Sequence, residues 1–315
     1  MKIKVGNQEL EVLVGADPEF FVGKGGKPLS AFGLVPGDKN TPYKVDKGAV
    51  QVDGMALEFN IDPAANEAEF LTNLDGVMTT LLHMVPDYEY IDSPVADFGL
   101  EYIAEQPEVA KILGCEPDYN AYTLEANPRP DAKRPFRTAS GHVHVGWTKD
   151  VDPQDPGHMS ACARLARMLD YTLGVPSLIW DEDDRRRELY GQPGAFRPKH
   201  YGMEYRVLSN AWLNPVENPG PQQPGKFLRR FVYAQTIKAF QMLADDPAND
   251  TKMINGRTAK DIITSGDRKA AFYAIKYGRD IPAPSSFRVN APAAVNTECF
   301  VDLSKVPEAA FEAAF

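Results

Sequence analysis

The chain has 315 residues, 43% hydrophobic and 25% charged, with 34 Lys and Arg against 44 Asp and Glu for a formal net charge of −10. This is globular composition with enough chain for a sizeable core, as one large domain or two modest ones. It argues against a duplex nucleic-acid binder, which needs Lys and Arg against phosphates, and no apolar run reaches the ~18 residues of a membrane span.

The N-terminus, Met1-Lys2-Ile3-Lys4-Val5, lacks an apolar signal core. Cys115, Cys162 and Cys299 form neither a disulfide framework nor a zinc pattern, Cys115 and Cys162 read as buried or incidental thiols, and with no export signal a reducing cytoplasm is the expected compartment. Residues 1–6 and 10–22 read as strands around a turn at Gly6-Asn7-Gln8-Glu9. The Gly- and Pro-rich residues 23–42 read as loop, and residues 49–61 as strand interrupted at Asp53-Gly54. Asn66 with Glu69 has capping-box spacing and opens an amphipathic helix that runs to Pro86. Residues 88–103 and 119–127 read as strands, with a short helix over 107–113.

Residues 140–147 and 203–210 read as strands on either side of a helix over 157–173. The proline-rich run 214–225 is the strongest break. It divides a core, residues 1–215, from a helical part, residues 216–315, packed on it. In the latter, helices are predicted at 226–243, 258–264 and 267–277, with a last turn at 307–311. The order predicts an α+β fold.

Four predicted strands each place two polar side chains on one face, because residues i and i+2 of a strand point the same way. The pairs are Asp17 and Glu19, Glu58 and Asn60, His142 and His144, and Glu204 and Arg206. Any one alone fits an ordinary solvated strand. Together they describe an acidic, histidine-bearing face without lysine, suited to Mg²⁺ or Mn²⁺. A cupin needs a Glu shortly after the second His, where Thr148 and Lys149 stand; a zinc hydrolase needs more imidazoles than His83, His158 and His200 offer.

Residues 181–206 hold six of the 34 Lys and Arg, namely Arg185, Arg186, Arg187, Arg197, Lys199 and Arg206. One reading pairs the DEDD and RRR blocks in a solvated loop. The other brings arginines to an anion, with Gly191 and Gly194 allowing close backbone approach. No GxxxxGK[ST] loop occurs, and Gly23-Lys24-Gly25-Gly26-Lys27 reads as a hairpin loop.

The stretches GADPEFF, LEFNIDP, SGHVHVGW and LYGQPGAFRPKHYGMEYRVLSN resemble the phage-type COOH·NH2 ligases (type 2), amidoligases of the glutamate–cysteine ligase and glutamine synthetase superfamily. The resemblance covers roughly residues 10–215. It implies a curved antiparallel sheet with flanking helices, two or three Mg²⁺ or Mn²⁺ ions, and ATP. The implied reaction activates a small-molecule carboxylate as an acyl phosphate and joins it to an amine, releasing ADP and phosphate. It also implies metal ligation by Asp17, Glu19, Glu58, His142 and Glu204, and a phosphate contact from Arg206. Arg187 and Arg197 are further candidate anion contacts, and His144 and Asn60 candidate nucleotide contacts. Which of His142 and His144 is the ligand stays open, and Asp17 stands where related enzymes carry Glu. A phosphotransferase of the same fold and a non-catalytic metal-binding module are the alternatives.

Overall fold

The computed structural model describes residues 1–113, 117–181, 183–213, 224–277, 287–288 and 300–301. Strands β1 (Lys2–Val5) and β2 (Gln8–Glu11) form the expected hairpin, and β3 (Leu13–Lys24) starts separately after it. Next come β4 (Lys27–Leu29), β5 (Tyr43–Val45), β6 (Gly48–Asp53) and β7 (Ala56–Ile61). Gly54, at φ +58°, makes the expected turn between β6 and β7.

Helix α1 spans Glu67–Met84. The Asn66 side chain accepts the Glu69 N–H at 3.0 Å, and the Glu69 carboxylate accepts the Ala65 N–H at 2.8 Å, a capping box whose return bond is shifted by one residue. Phe70, Leu74, Val77, Met78 and Leu81 form its buried stripe, each burial contributing about 1.5–3 kcal/mol.

Residues 88–103 are not one strand. They divide into β8 (Glu89–Ile91), β9 (Val95–Asp97) and α2 (Leu100–Glu105), because Pro94 interrupts the run and Gly99, at φ +80°, turns the chain into the helix. Helix α3 (Glu108–Lys111) follows Pro107 as expected. Residues 119–127 yield only β10 (Tyr119–Asn120), since Leu124 takes φ +61° and folds the segment back, with the Asn120 N–H donating to the Glu125 carbonyl.

Strands β11 (Phe136–Thr138) and β12 (Gly141–Gly146) lead to α4 (Pro156–Leu169), which passes through a π-helical turn at Asp170–Gly174 into α5 (Val175–Ser177). Helix α6 (Arg185–Leu189) occupies part of the basic segment expected as loop. Strand β13 (Ala195–Lys199) precedes β14 (Gly202–Tyr205), which is shorter than the strand expected over 203–210. Helices α7 (Pro224–Asp245), α8 (Ala259–Ser265) and α9 (Arg268–Tyr277) match the three expected after the break. Residues 214–223, the turn at 307–311, Cys115 and Cys299 lie outside the described residues.

The molecule is mixed α+β around one ten-stranded antiparallel sheet. Its path runs β10-β13-β14-β12-β3-β7-β6-β5, with β4 and β8 paired to the far half of β3. Alternation gives the sheet two different faces. On one, Val14, Ala16, Phe20, Leu57, Phe59, Val143, Val145, Met203 and Tyr205 join a core with the stripes of α1, α4 and α7. The other carries the polar pairs. Gly141, on the core face of β12, is required, since a side chain at that position would collide with the Trp212 indole and the Ser209 carbonyl. Among the described residues no helix is long and apolar enough to cross a membrane.

Candidate active site

In antiparallel pairing, residues directly opposite share a face. Asp17 stands opposite His142, Glu19 opposite Glu58, and His144 opposite Glu204. The polar pairs therefore come together on consecutive strands β14, β12, β3 and β7. Flanking strands extend the face, with Arg197 opposite Glu204 on β13 and Gln51 opposite Glu58 on β6. Asp17, Glu19, Glu58, Asn60, His142, His144, Arg197, Glu204 and Arg206 all line one cleft of about 1090 Å³.

The acidic side chains form two groups, Asp17–His144–Glu204 and Glu19–Asp53–Glu58, each with ligand-capable atoms within 4.8 Å of one another. In the first, His144 Nε2 lies 3.0 Å from Asp17 Oδ1, yet these atoms and Glu204 Oε1 are buried without an aligned hydrogen-bond partner. The Tyr201 hydroxyl, 2.5 Å from His144 Nδ1, fixes the ring so that Nε2 faces the carboxylates. His142 borders the same group, its Nδ1 3.4 Å from Asp17 Oδ1 and 3.3 Å from Glu204 Oε1. In this arrangement His144 is the imidazole that shares a group with the carboxylates. Oxygen donors with one imidazole fit Mg²⁺ or Mn²⁺.

The electrostatics are those of carboxylates buried close to one another. Burial, reinforced by Asp53, lifts Glu19 to about 7, partly offset by the Ser140 N–H. Burial and then Asp53, Asp17 and Glu19 push Glu58 well above the ordinary carboxyl range. Burial and Asp17 raise Glu204, against Arg197. Burial also works against the Asp17 carboxylate, but the facing His144 and His142 rings outweigh it and hold Asp17 well below its usual value. Desolvation, with Arg206 nearby, drives His142 well down; His144 is raised because Asp17 outweighs its burial.

These directions fix a pH dependence. Glu19, lifted to about 7, keeps a proton in the folded chain that the unfolded chain has already released; Glu58 and Glu204 shift in the same direction, and stabilisation from protonated His144 is lost as pH rises through its raised value. The opposing contribution of His142 is complete once pH exceeds its ordinary 6.5. From there to about pH 8 the metal-free chain should lose stability as pH rises, and Mn²⁺ should raise Tm more at the alkaline end. Thermal melts at three pH values with and without Mn²⁺ check this; a flat profile or a pH-independent ion effect would contradict it.

Cations border the first acidic group. Arg206 ion-pairs with Glu204, reaches Asp118 Oδ2 at 3.3 Å, and packs 5.2 Å from the Tyr190 ring centre. Arg197 Nη1 and Lys199 Nζ lie 3.3 and 3.4 Å from Glu204 Oε2. Arg187 is not brought to the cleft. Its guanidinium pairs with Asp181 Oδ2 at 3.1 Å and with Asp184, while Arg185 pairs with Asp183 and Asp97. The solvated-pair reading thus describes Arg185, and Arg187 serves a local ion-pair network. Gly191 and Gly194 also depart from expectation: side chains there would strike the Arg186 guanidinium and the Tyr122 ring, so these glycines serve internal packing. Gly25 and Gly26, both at positive φ, donate their N–H groups to Glu89 at 2.9 Å each, filling with a carboxylate the turn that superficially suited a phosphate.

Several cleft residues are not marked by the four polar pairs. Gln51 and Asp53 alternate on β6 just as those pairs do, so an i, i+2 signal for them exists in the sequence. Lys39, which pairs with Asp53 at 2.6 Å, comes from a loop and carries no such signal. Tyr190 and Tyr201, and Asp118 where it contacts Arg206 from outside the cleft lining, are likewise placed by tertiary contacts alone.

The family described as phage phiEco32-like COOH.NH2 ligase-type 2 matches the chain over residues 136–218. This is the family the motifs resemble, and its description is that of a carboxylate–amine ligase. The matched segment holds β12, β13 and β14, and with them His142, His144, Arg197, Glu204 and Arg206. No curated protein matches the chain.

Proposed function

We propose that the chain is an ATP-dependent carboxylate–amine ligase that forms an amide through an acyl phosphate. The observation that carries this reading is the Asp17–His144–Glu204 group, whose buried ligand-capable atoms crowd together without aligned hydrogen bonds beside Arg206, Arg197 and Lys199 in one cleft. Divalent cations and a guanidinium cluster are the two halves of a triphosphate site. We take the sheet to be the curved type of glutamine synthetase and glutamate–cysteine ligase. Residues 1–215 would be the catalytic core, with 216–315 packed on it; contacts of α7 with α1 and α4 support that arrangement.

Asp17, His144 and Glu204 would hold one Mg²⁺ or Mn²⁺, with His142 at its edge, and Glu19, Asp53 and Glu58 a second. Bound ions neutralise phosphate charge and polarise the transferring group. The chain's own residues do the rest. Arg206, packed against the Tyr190 ring and oriented by Asp118, would face the phosphoryl group, while Arg197 and Lys199 would supply charge along the polyphosphate. A carboxylate oxygen attacks the γ-phosphorus and ADP leaves. The amine nitrogen then attacks the acyl carbon, phosphate leaves with one former carboxylate oxygen, and the proton shed by the nitrogen passes to that phosphate or to solvent. No enzyme nucleophile is needed, and Cys162, buried with its thiol pushed up to about 12, is inert.

Incubation with ATP, Mg²⁺ and pooled carboxylic acids and amines, followed by mass spectrometry, should reveal a new amide with matching ADP. A stable phosphorylated product without free phosphate would instead establish a phosphotransferase, and ion binding without ATP consumption a binding module.

A further inference from the structure

Lys39 comes from the loop between β4 and β5, lines the cleft, and places its Nζ 2.6 Å from Asp53 Oδ2. The turn that carries it is well braced. Asp38 Oδ1 accepts the N–H groups of Asn40 and Thr41 at 2.8 and 2.9 Å and the Thr41 hydroxyl at 3.1 Å. The Gly37 carbonyl accepts the Val52 N–H at 3.3 Å, which ties the turn to β6 one residue before Asp53. The Lys39 side chain is 39% exposed, so its four-carbon stem can rotate the ammonium into water while the backbone stays in place.

In the Glu19–Asp53–Glu58 group each carboxylate has one oxygen held by a donor of the protein. Glu19 Oε2 accepts the Ser140 N–H at 2.9 Å, Glu58 Oε2 accepts from the Gln51 amide at 2.7 Å, and Asp53 Oδ2 pairs with Lys39. The first two donors are neutral. They can remain beside a cation on the other oxygens and orient the carboxylates toward it.

The third donor is charged. Burial works against that charge, but Asp53, Glu19 and Glu58 outweigh it, so Lys39 responds to the whole group and not to its partner alone. An ammonium and a divalent ion held by the same carboxylates repel strongly, because a partly buried site screens charge poorly.

Resting on the second ion site of the ligase reading, we propose that Lys39 is a displaceable internal cation. With no divalent ion bound, its ammonium balances the Glu19–Asp53–Glu58 charge; an ion entering that group drives it off Asp53. The exchange weakens ion binding at this site, since the ion must replace a cation already there.

The test is calorimetric Mn²⁺ titration of the full chain, in wild type and in an E204Q background that isolates the second group. K39M keeps the stem and removes the charge, whereas K39R keeps the charge. K39M should tighten the ion at the second group about tenfold, and K39R should not tighten it. Displacement itself is read by acetylation with an amine-reactive reagent and mass spectrometry. Released from its carboxylates, Lys39 should label at least about threefold faster in saturating Mg²⁺, while Lys2, paired at the surface with Glu9, keeps its rate. Unchanged or weaker ion binding in K39M, equal tightening by K39M and K39R, or Lys39 labelling that ignores Mg²⁺ overturns the proposal. So does a second group that holds no ion with or without Lys39. The ligase reading is judged separately: it fails if Lys39 exchanges as described while ATP and pooled acids and amines give no amide.

Discussion

Replacing Glu204 by glutamine should abolish divalent-ion binding at the Asp17–His144 position and cut turnover about a thousandfold, equivalent to ~4 kcal/mol. Glu204 is 1% exposed, and its carboxylate meets Arg206, Arg197, Lys199 and His142 while sharing the acidic group with Asp17 and His144. Glutamine keeps the volume and one acceptor oxygen, so packing is preserved, but it removes the negative charge. Arg206 keeps Asp118, and the Arg197 and Lys199 side chains are 16% and 27% exposed, so the remaining cations are not stranded. The variant should therefore melt cooperatively near wild type, while Mn²⁺ titration shows one fewer tight site. Wild-type turnover would contradict the role of Glu204, and lost turnover with intact ion stoichiometry would move it from ligation to substrate contact.

Arg206→Lys should lower kcat by about a thousandfold, while nucleotide affinity changes by less than about threefold. Arg206 lies over the Tyr190 ring and is gripped by Asp118 and Glu204, so its plane is fixed. A lysine ammonium keeps the charge but loses the planar fork, its ring stacking and its second donor direction. Its deficit should appear where charge develops during transfer, not in ground-state binding. Single-turnover and nucleotide-binding measurements separate the two. Equal losses in both would mean that Arg206 serves ground-state binding.

How much of the site could be read from sequence follows from the period of a strand. Alternation alone places Asp17 with Glu19 and His142 with His144 on one face, because that depends only on local backbone geometry. Cross-strand register does not. That His144 meets Glu204 and Glu19 meets Glu58 depends on pairings between distant segments, and so does the choice of His144 as the imidazole that groups with the carboxylates. The arginines show the same limit. On one helical turn Arg185, Arg186 and Arg187 point in different directions, to surface acids, to the buried Val207 carbonyl and to Asp181. Arg197, on a strand opposite Glu204, reaches the cleft. Strand lengths failed where single residues overrode propensity, as Pro94 and Gly99 did in 88–103 and Leu124 did in 119–127. Helices α1, α4 and α7 were legible because each buries a long apolar stripe at helical spacing.

The proposed acyl-phosphate chemistry would leave an isotopic trace whatever acid and amine are joined. With ATP, Mg²⁺, pooled amines and pooled acids labelled with ¹⁸O in their carboxylates, phosphate leaving the acyl carbon carries one substrate oxygen. The measurement is the ¹⁸O content of inorganic phosphate together with the amide formed. One labelled oxygen per phosphate, with amide and phosphate in equal amounts, is the predicted result; ADP formed alongside unlabelled phosphate would contradict the proposed reaction.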